Sequence, residues 1–525
     1  MKDLPDPVLP LTEDEKKLLE KLNKKSKSEI LEQLRTLLEA AITVELATIP
    51  IYLFTYYSID RLPKTFPSSV SADRALQLQV YANQAGAAIM SVAVEEMLHM
   101  SLSSNVLYAF GGTPELYMKS PGPPNGSKPF HHYPVNLPDH ARLGPNAKPM
   151  HIPLAKLSYR QLWKFLEIEW PEDVGAEPQG KDFDTIGQVY SYIRCLMCTE
   201  VLKDYSFGPA ANQLQPEYYS PNNIDTIYAK GSFDKSAPAP RKDGIVPPGC
   251  VPPPPPPPQY PTGAAAASFE DADDSHAGLT PLLAVDSLEK AQQAIATICD
   301  QGEGFNPVHI DGTDDLSGKE DCHFYKFLCL QGTLEKPAGF DEPQKGPPPP
   351  APTIPLITKE ELGFFTFNFP ENPVTRRDEY PPFGDLRYSN PAQQAVSDAL
   401  NALYQYMLIL TETSFKVTGM KQKKLFYQGM HMSMIWIMDK LIQQMRQIPL
   451  VDAHGKPMQD KDGKALALAP TFENFSLGHR QHAYGNLVKV AQTAIDMTKS
   501  DSQYSGMQGY LGMFANLPDV SAQWA

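Results

Sequence analysis

The sequence of 525 residues predicts an all-α fold, a helical bundle with long proline-rich loops and an additional C-terminal helical region. Apolar residues recur at helical spacing in several long segments, and no alternating strand pattern of any length competes with them. Proline accounts for 52 residues, about a tenth of the chain and roughly twice the usual share. We therefore expect long irregular connections between the helices.

Two long helices are predicted in the first 110 residues. The first covers 28–59, and Pro50 is expected to kink it because proline removes a backbone donor. The second covers 71–110 and ends at a pair of glycines, a common helix stop. Shorter helices with the same periodicity are predicted at 158–169, 184–203, 287–302, 318–331, 391–417, 423–447 and 481–499.

Proline-rich segments also suggest how the chain divides into domains. The segment 346–355 is the best candidate for a boundary, since proline-rich stretches favour extended linkers. We predict a metal-binding domain over 28–335 with proline-rich insertions at 112–157 and 205–284. A C-terminal helical region over 356–525 is expected to pack on this domain.

Composition excludes several classes of function. The net charge of −15, without a basic block, is unfavourable for binding nucleic acid or an anionic membrane. Residues 1–25 are charged and lack the apolar core of a signal peptide, and the apolar run 41–54 is too short to span a bilayer. Six cysteines are too sparse for a disulfide framework. We expect a cytoplasmic protein without nucleic-acid or membrane partners, and a homo-oligomer remains open.

The two long helices carry the first candidate metal ligands. Glu45 lies in the apolar stripe of the first helix. On the second helix, Glu96 and His99 are three residues apart, so both side chains point to the same place. A carboxylate and an imidazole at this ExxH spacing can ligate one metal while the helix holds them. Glu95 lies on the flank of the stripe and could support these ligands.

A second set of candidates lies about 200 residues later. Glu303 ends a predicted helix, and Glu320 with His323 forms another ExxH pair. A single ExxH pair occurs by chance, and one glutamate in an apolar stripe is often a residue at the edge of a bundle. Two pairs with two further carboxylates match the ligands of di-iron and di-manganese carboxylate bundles. Burying four carboxylates would cost several kcal/mol each, which divalent cations usually offset.

Several motifs resemble a known family. The segments AITVELATIPIYL (41–53), VEEMLHMSL (94–102) and GGTP (111–114) are similar to the ferritin-like family typified by iminophenylpyruvate dimer synthase, an enzyme of violacein-type bisindole pathways. Later segments resemble further motifs of this family, namely DTIGQVY (184–190), DQGEG (300–304), HFYKF (323–327) and PTFE (470–473). The resemblance implies a ferritin-like bundle.

The resemblance also implies a metal site and an activity. The implied ligands are Glu45, Glu96, His99, Glu303, Glu320 and His323, with Glu169 and Glu200 as supporting or alternative ligands. One or two iron ions are expected, with manganese as the alternative. The implied function is a metal-dependent oxidoreductase or oxidative coupling enzyme of secondary metabolism that acts on a small, amino-acid-derived substrate, with O₂ as a candidate co-substrate. The alternative is a non-catalytic ferritin-like scaffold or an iron-binding protein.

Overall fold

The fold comes from a computed structural model of the whole chain. It describes residues 11, 13–61, 63, 65–117, 135–136, 151–169, 186–215, 282–302, 323–341, 349, 351–374, 386–426, 433–434 and 437–525. Within these residues the structure is mainly helical, and the predicted all-α class is confirmed. The strands among them are two residues long and form two pairs, β1 (Val135–Asn136) with β2 (His151–Ile152), and β3 (Pro373–Val374) with β4 (Leu386–Arg387).

Two long helices form the centre of the N-terminal part. Helix α2 (Lys27–Tyr57) begins at a capping box, in which the Ser26 side chain accepts from the Glu29 backbone and the Glu29 side chain accepts from the Ser26 backbone. Helix α3 (Ala72–Ala109) is capped by the Ser71 side chain, which accepts from the Arg74 backbone. The two helices pack against each other along their apolar stripes. Both predicted long helices are therefore confirmed.

Four shorter helices surround this pair. They are α4 (Tyr159–Ile168), α5 (Ile186–Met197), α6 (Leu288–Gly302) and α7 (His323–Gly332). Helix α4 packs against α7, α5 against α2 and α6, and α6 against α3. Helix α7 also contacts α3, so the short helices bring distant parts of the sequence into contact with the long pair.

The predicted helix over 184–203 is shorter than expected. Helix α5 ends at Met197, and Thr199 adopts an extended conformation with φ −66° and ψ 145°. A 3₁₀ helix (Glu200–Leu202) follows this break. Helical periodicity does not reveal the break because Val201 and Leu202 continue the apolar pattern.

A helix that was not predicted, α1 (Glu13–Leu22), precedes the long pair and packs against α5. Its contact with α5 includes a buried ion pair, with 3.2 Å between Glu15 Oε2 and a guanidinium nitrogen of Arg194. Ser191 donates a further hydrogen bond to the same carboxylate. The high density of charged residues in this segment concealed its amphipathic pattern.

The C-terminal part contains six further α-helices among the described residues. They are α8 (Lys359–Leu362), α9 (Pro391–Ser414), α10 (Gly419–Phe426), α11 (Asp439–Met445), α12 (Arg480–Thr498) and α13 (Ser505–Gly512). Helix α9 packs against α10 and α12, and α13 packs against α11 and α12. The helix predicted over 423–447 is described in part: α10 covers its beginning and α11 its end, and residues 433–434 and 437–438 are π-helical, while 427–432 and 435–436 lie outside the described residues.

Polar contacts connect the C-terminal part to the segment that follows α3. The buried carboxylate of Glu412 accepts hydrogen bonds from the backbone of Leu116 and Tyr117. It also pairs with Arg480, at 2.5 Å between Oε2 and Nε. The buried apolar side chains of both parts belong to one connected core. Among the described helices, α2 is long and apolar enough to cross a membrane, and 78% of its most apolar window is buried inside the protein.

Candidate metal centre

Five acidic and histidine side chains converge inside the N-terminal bundle. Glu45 lies on α2, and Glu96 and His99 lie on α3. Glu169 caps the C-terminal end of α4, and His323 is the first residue of α7. All five are at most 4% exposed. The packing of α7 against both α3 and α4 therefore brings the second histidine to the first ExxH pair.

The five side chains form two candidate ligand groups. The first ligand group is Glu45, Glu96 and His99, and the second ligand group is Glu96, Glu169 and His323. In each group the ligand atoms all lie within 4.8 Å of one another. Glu96 belongs to both groups, so its carboxylate stands between the two positions that an ion could take.

Distances within the cluster are short. His99 Nδ1 lies 3.8 Å from oxygens of both Glu45 and Glu96. His323 Nδ1 lies 3.0 Å from Glu96 Oε1 and 3.2 Å from Glu169 Oε2. The two imidazole rings stack with centroids 5.3 Å apart. The first ExxH pair, Glu96 and His99, therefore lies next to His323, which comes from more than 200 residues later in the chain.

Buried hydroxyl groups orient the three carboxylates. Each carboxylate accepts a hydrogen bond from one hydroxyl, which fixes one of its oxygens and leaves the other for a second partner. The pairs are Tyr190 with Glu45, Thr48 with Glu96 at 2.6 Å, and Tyr52 with Glu169. Sequence analysis did not identify these hydroxyl residues. Thr48 and Tyr52 follow Glu45 by three and seven residues, so helical spacing places them on its face and could have indicated them.

Burial and mutual repulsion set the protonation of the carboxylates when no metal ion is bound. Burial, followed by the charge of Glu96, raises the pKa of Glu45 well above its usual value. Burial also raises the pKa of Glu169, although the charge of His323 partly opposes it. For Glu96, burial would raise the pKa, but hydrogen bonding and charge from His323 outweigh burial and lower it. In the metal-free site, the raised pKa values of Glu45 and Glu169 favour bound protons, which reduce the negative charge that a metal ion would otherwise compensate.

The donor set fits a divalent metal ion. Three buried carboxylates would carry three negative charges in a region that excludes water, which is costly without a compensating cation. Mixed carboxylate and imidazole donors suit transition metals such as iron, manganese and zinc, whereas sites for magnesium or calcium use oxygen donors. Two groups around one shared carboxylate can accommodate one ion or two.

The other predicted ligands are placed differently. Glu303 and Glu320 lie outside the described residues. Glu200 is exposed, with 64% of its side chain accessible, and its carboxylate pairs with Lys203 at 2.6 Å. The prediction that Glu200 supports the site was wrong, because α5 ends before this residue and the chain turns it toward solvent. Glu169, predicted as a supporting or alternative ligand, lies within the second ligand group.

A small cavity borders the cluster. Its polar lining residues are Glu45, Glu96, His99, Glu169 and Tyr190. The remaining lining residues come from α5 and α6 and are Ile186, Ile298, Cys299 and Gly302. The cavity has room for about one water-sized molecule next to the candidate metal ligands.

These features define a helical-bundle protein with a buried carboxylate–histidine centre. The sequence profile of the ferritin-like family matches residues 38–232 and 263–331, just over half of the chain, so the chain belongs to the ferritin-like family. No curated protein matches the sequence. The crystal structure of a ferritin-like protein from Caulobacter vibrioides is similar, with 18% identity and a TM-score of 0.37. That match covers 78% of this chain and 94% of the other.

Proposed function

We propose that this protein is a metal-dependent enzyme and that the two ligand groups hold its ions. The observation that carries the proposal is the shared carboxylate of Glu96, which lies within ligand distance of both groups. A bundle-edge glutamate would face solvent, whereas Glu96 is 3% exposed. Glu303, by its resemblance to a family motif, and Glu320, by its ExxH spacing with His323, are further candidate ligands.

Iron is the proposed metal, as one or two ions, with manganese as the alternative. Each group offers three donor residues among the described part of the chain, fewer than the six ligands of an octahedral ion. With one further ligand each from Glu303 or Glu320, the groups would offer four donor residues, so positions would remain for O₂ or a substrate. When bound, the ions would supply redox and Lewis-acid chemistry at these open positions.

The proposed reaction class is an oxidation or an oxidative coupling of a small, amino-acid-derived molecule in secondary metabolism. The motifs around Glu45, Glu96 and His323 support this class because they resemble those of iminophenylpyruvate dimer synthase. Tyr190 and Tyr52 would hold the outer carboxylates in orientation during the reaction.

Metal analysis of protein purified without chelator tests the proposal. We expect about one or two equivalents of iron or manganese per chain, as a site with two ligand groups would hold. The double variant Glu96→Ala with His99→Ala should lose most of this metal, while its helical circular dichroism stays close to that of the wild type. A matched control is Glu412→Gln, which changes a buried acid outside both groups and should keep its metal. Wild-type protein without metal, even after incubation with Fe²⁺ or Mn²⁺, would contradict the proposal and favour a scaffold.

A further inference from the structure

His323 is surrounded by carboxylates on both sides of its ring. Its Nδ1 faces the second ligand group, 3.0 Å from Glu96 and 3.2 Å from Glu169. Its Nε2 lies 2.9 Å from Oε2 of Glu95, a residue outside both groups. The ring is fully buried, so water does not compete for either nitrogen. These three acids therefore determine which nitrogen of the His323 ring carries a proton and which can bind a metal ion.

Glu95 is in turn held by a lysine from the same helix as the histidine. Lys326 lies one turn after His323 on α7, and its Nζ is 3.0 Å and 2.7 Å from the two oxygens of Glu95. The side chain of Lys326 is 6% exposed and that of Glu95 is 24% exposed. His323 and Lys326 of α7 therefore both contact the carboxylate of Glu95 on α3.

We infer that Glu95, held in place by Lys326, is a positioning residue that makes His323 bind metal through Nδ1. A neutral imidazole carries one N–H group and one lone pair, and an ionised carboxylate accepts but does not donate. A proton on Nε2 can therefore bond to Glu95, which leaves the lone pair on Nδ1 directed at Glu96 and Glu169. This inference rests on the proposed function.

A second ion pair on α3 provides a control that distinguishes this positioning role from a general stabilisation of the fold. Arg74, at the start of α3, pairs with Glu361 of α8 at 2.7 Å. That pair also ties α3 to another element and is similarly shielded, with side chains 16% and 19% exposed. It contacts neither ligand group. Glu361→Gln is therefore a matched control for Glu95→Gln.

Titration of the metal-free protein with Co²⁺, followed by its visible absorption bands, measures the effect. Oε2 of Glu95 accepts from both His323 and Lys326, so the Glu95→Gln variant removes the negative charge from this acceptor and places an amide N–H₂ group against Lys326, which weakens the hold on the imidazole. We expect this variant to bind Co²⁺ about 10–100-fold more weakly than the wild type, the range found for partners of metal-binding histidines. Glu361→Gln should bind as the wild type does. Equal affinities of wild type and Glu95→Gln would overturn the inference alone, whereas a wild type that binds no Co²⁺ would overturn the proposed function with it.

A measurement on the wild-type protein tests the same inference without a destabilising change. Nuclear magnetic resonance of ¹⁵N-histidine-labelled, Zn²⁺-loaded protein distinguishes a metal-bound ring nitrogen from a protonated one, and a His323→Gln sample assigns the signals. We expect Nδ1 bound to Zn²⁺ and Nε2 protonated. Zn²⁺ on Nε2 of His323 would overturn the inference, while the absence of metal-shifted histidine signals would count against the proposed site as a whole.

Discussion

The shared position of Glu96 makes Glu96→Gln the most informative single change. The substitution keeps the shape of the side chain and removes one charge from both ligand groups. In the metal-free protein, the carboxylate accepts from Thr48 and lies 3.0 Å from His323 Nδ1. The amide oxygen can retain one of these contacts, so we expect a loss of about 1.5–3 kcal/mol in unfolding free energy, the usual value of a hydrogen bond to a charged group.

The Glu96→Gln substitution should weaken metal binding more than it lowers the unfolding free energy of the metal-free protein. A ligand at 100 times its dissociation constant stabilises the wild type by about 2.7 kcal/mol. Loss of an outer partner of a metal ligand alone costs about 10–100-fold in affinity, so loss of a shared ligand should cost about 100-fold or more. At the same metal concentration, the stabilisation of the variant then falls to about 0.4 kcal/mol.

Urea unfolding with and without Mn²⁺ measures both quantities on one protein. The control Glu412→Gln also weakens a buried acid, which accepts from two backbone groups and pairs with Arg480. We expect the control to lose stability but to keep the full metal-dependent increase. A Glu96→Gln protein whose unfolding free energy rises with Mn²⁺ as much as that of the wild type would refute the shared-ligand reasoning.

Three further predictions concern the surroundings of the site. Tyr190→Phe removes the hydroxyl that donates to Glu45; it should cost about 1 kcal/mol in urea unfolding and weaken Co²⁺ binding about tenfold, and unchanged affinity would mean that this hydroxyl does not orient the ligand. Burial would lower the pKa of His323, but the charge of Glu169 outweighs it and holds this pKa well above 6.5, so the native state keeps a proton that the unfolded chain loses. The unfolding free energy of the metal-free protein should therefore fall as the pH rises from about 6 to about 8, and a rise would contradict this sign. Glu15→Ala breaks the buried pair with Arg194 and should destabilise the protein by about 3–5 kcal/mol and expose α1 to limited proteolysis; resistance equal to that of the wild type would show that α1 is held by other contacts.

The central part of the site could be predicted because it lies on long periodic helices. Glu45, Glu96 and His99 interrupt apolar stripes, and a charged residue in such a stripe needs a partner inside the bundle. His323 was identified by its ExxH spacing, although its partner at 320 lies outside the described residues. The spacing could indicate that these residues meet, but only the packing of α7 on α3 and α4 shows which side chains form each group.

The remaining contacts depend on tertiary structure that periodicity does not record. Glu169 follows the last turn of α4, and its place among the ligands results from the packing of that helix against α7. Tyr52 and Tyr190 look like ordinary core aromatics in sequence, since only the position of the hydroxyl distinguishes them from phenylalanine. Glu200 was misplaced because the break at Thr199 is a local backbone event within an uninterrupted apolar pattern.

The location of bound metal tests the central claim most directly. Crystals grown with Fe²⁺ or Mn²⁺ would give anomalous difference density at the metal positions. We predict one peak, or two peaks about 4 Å apart, each about 2 Å from an oxygen of Glu96. The first peak should also be bonded to His99 and the second to His323. Fully occupied metal that binds elsewhere in the chain, with no density next to Glu96, would contradict the account.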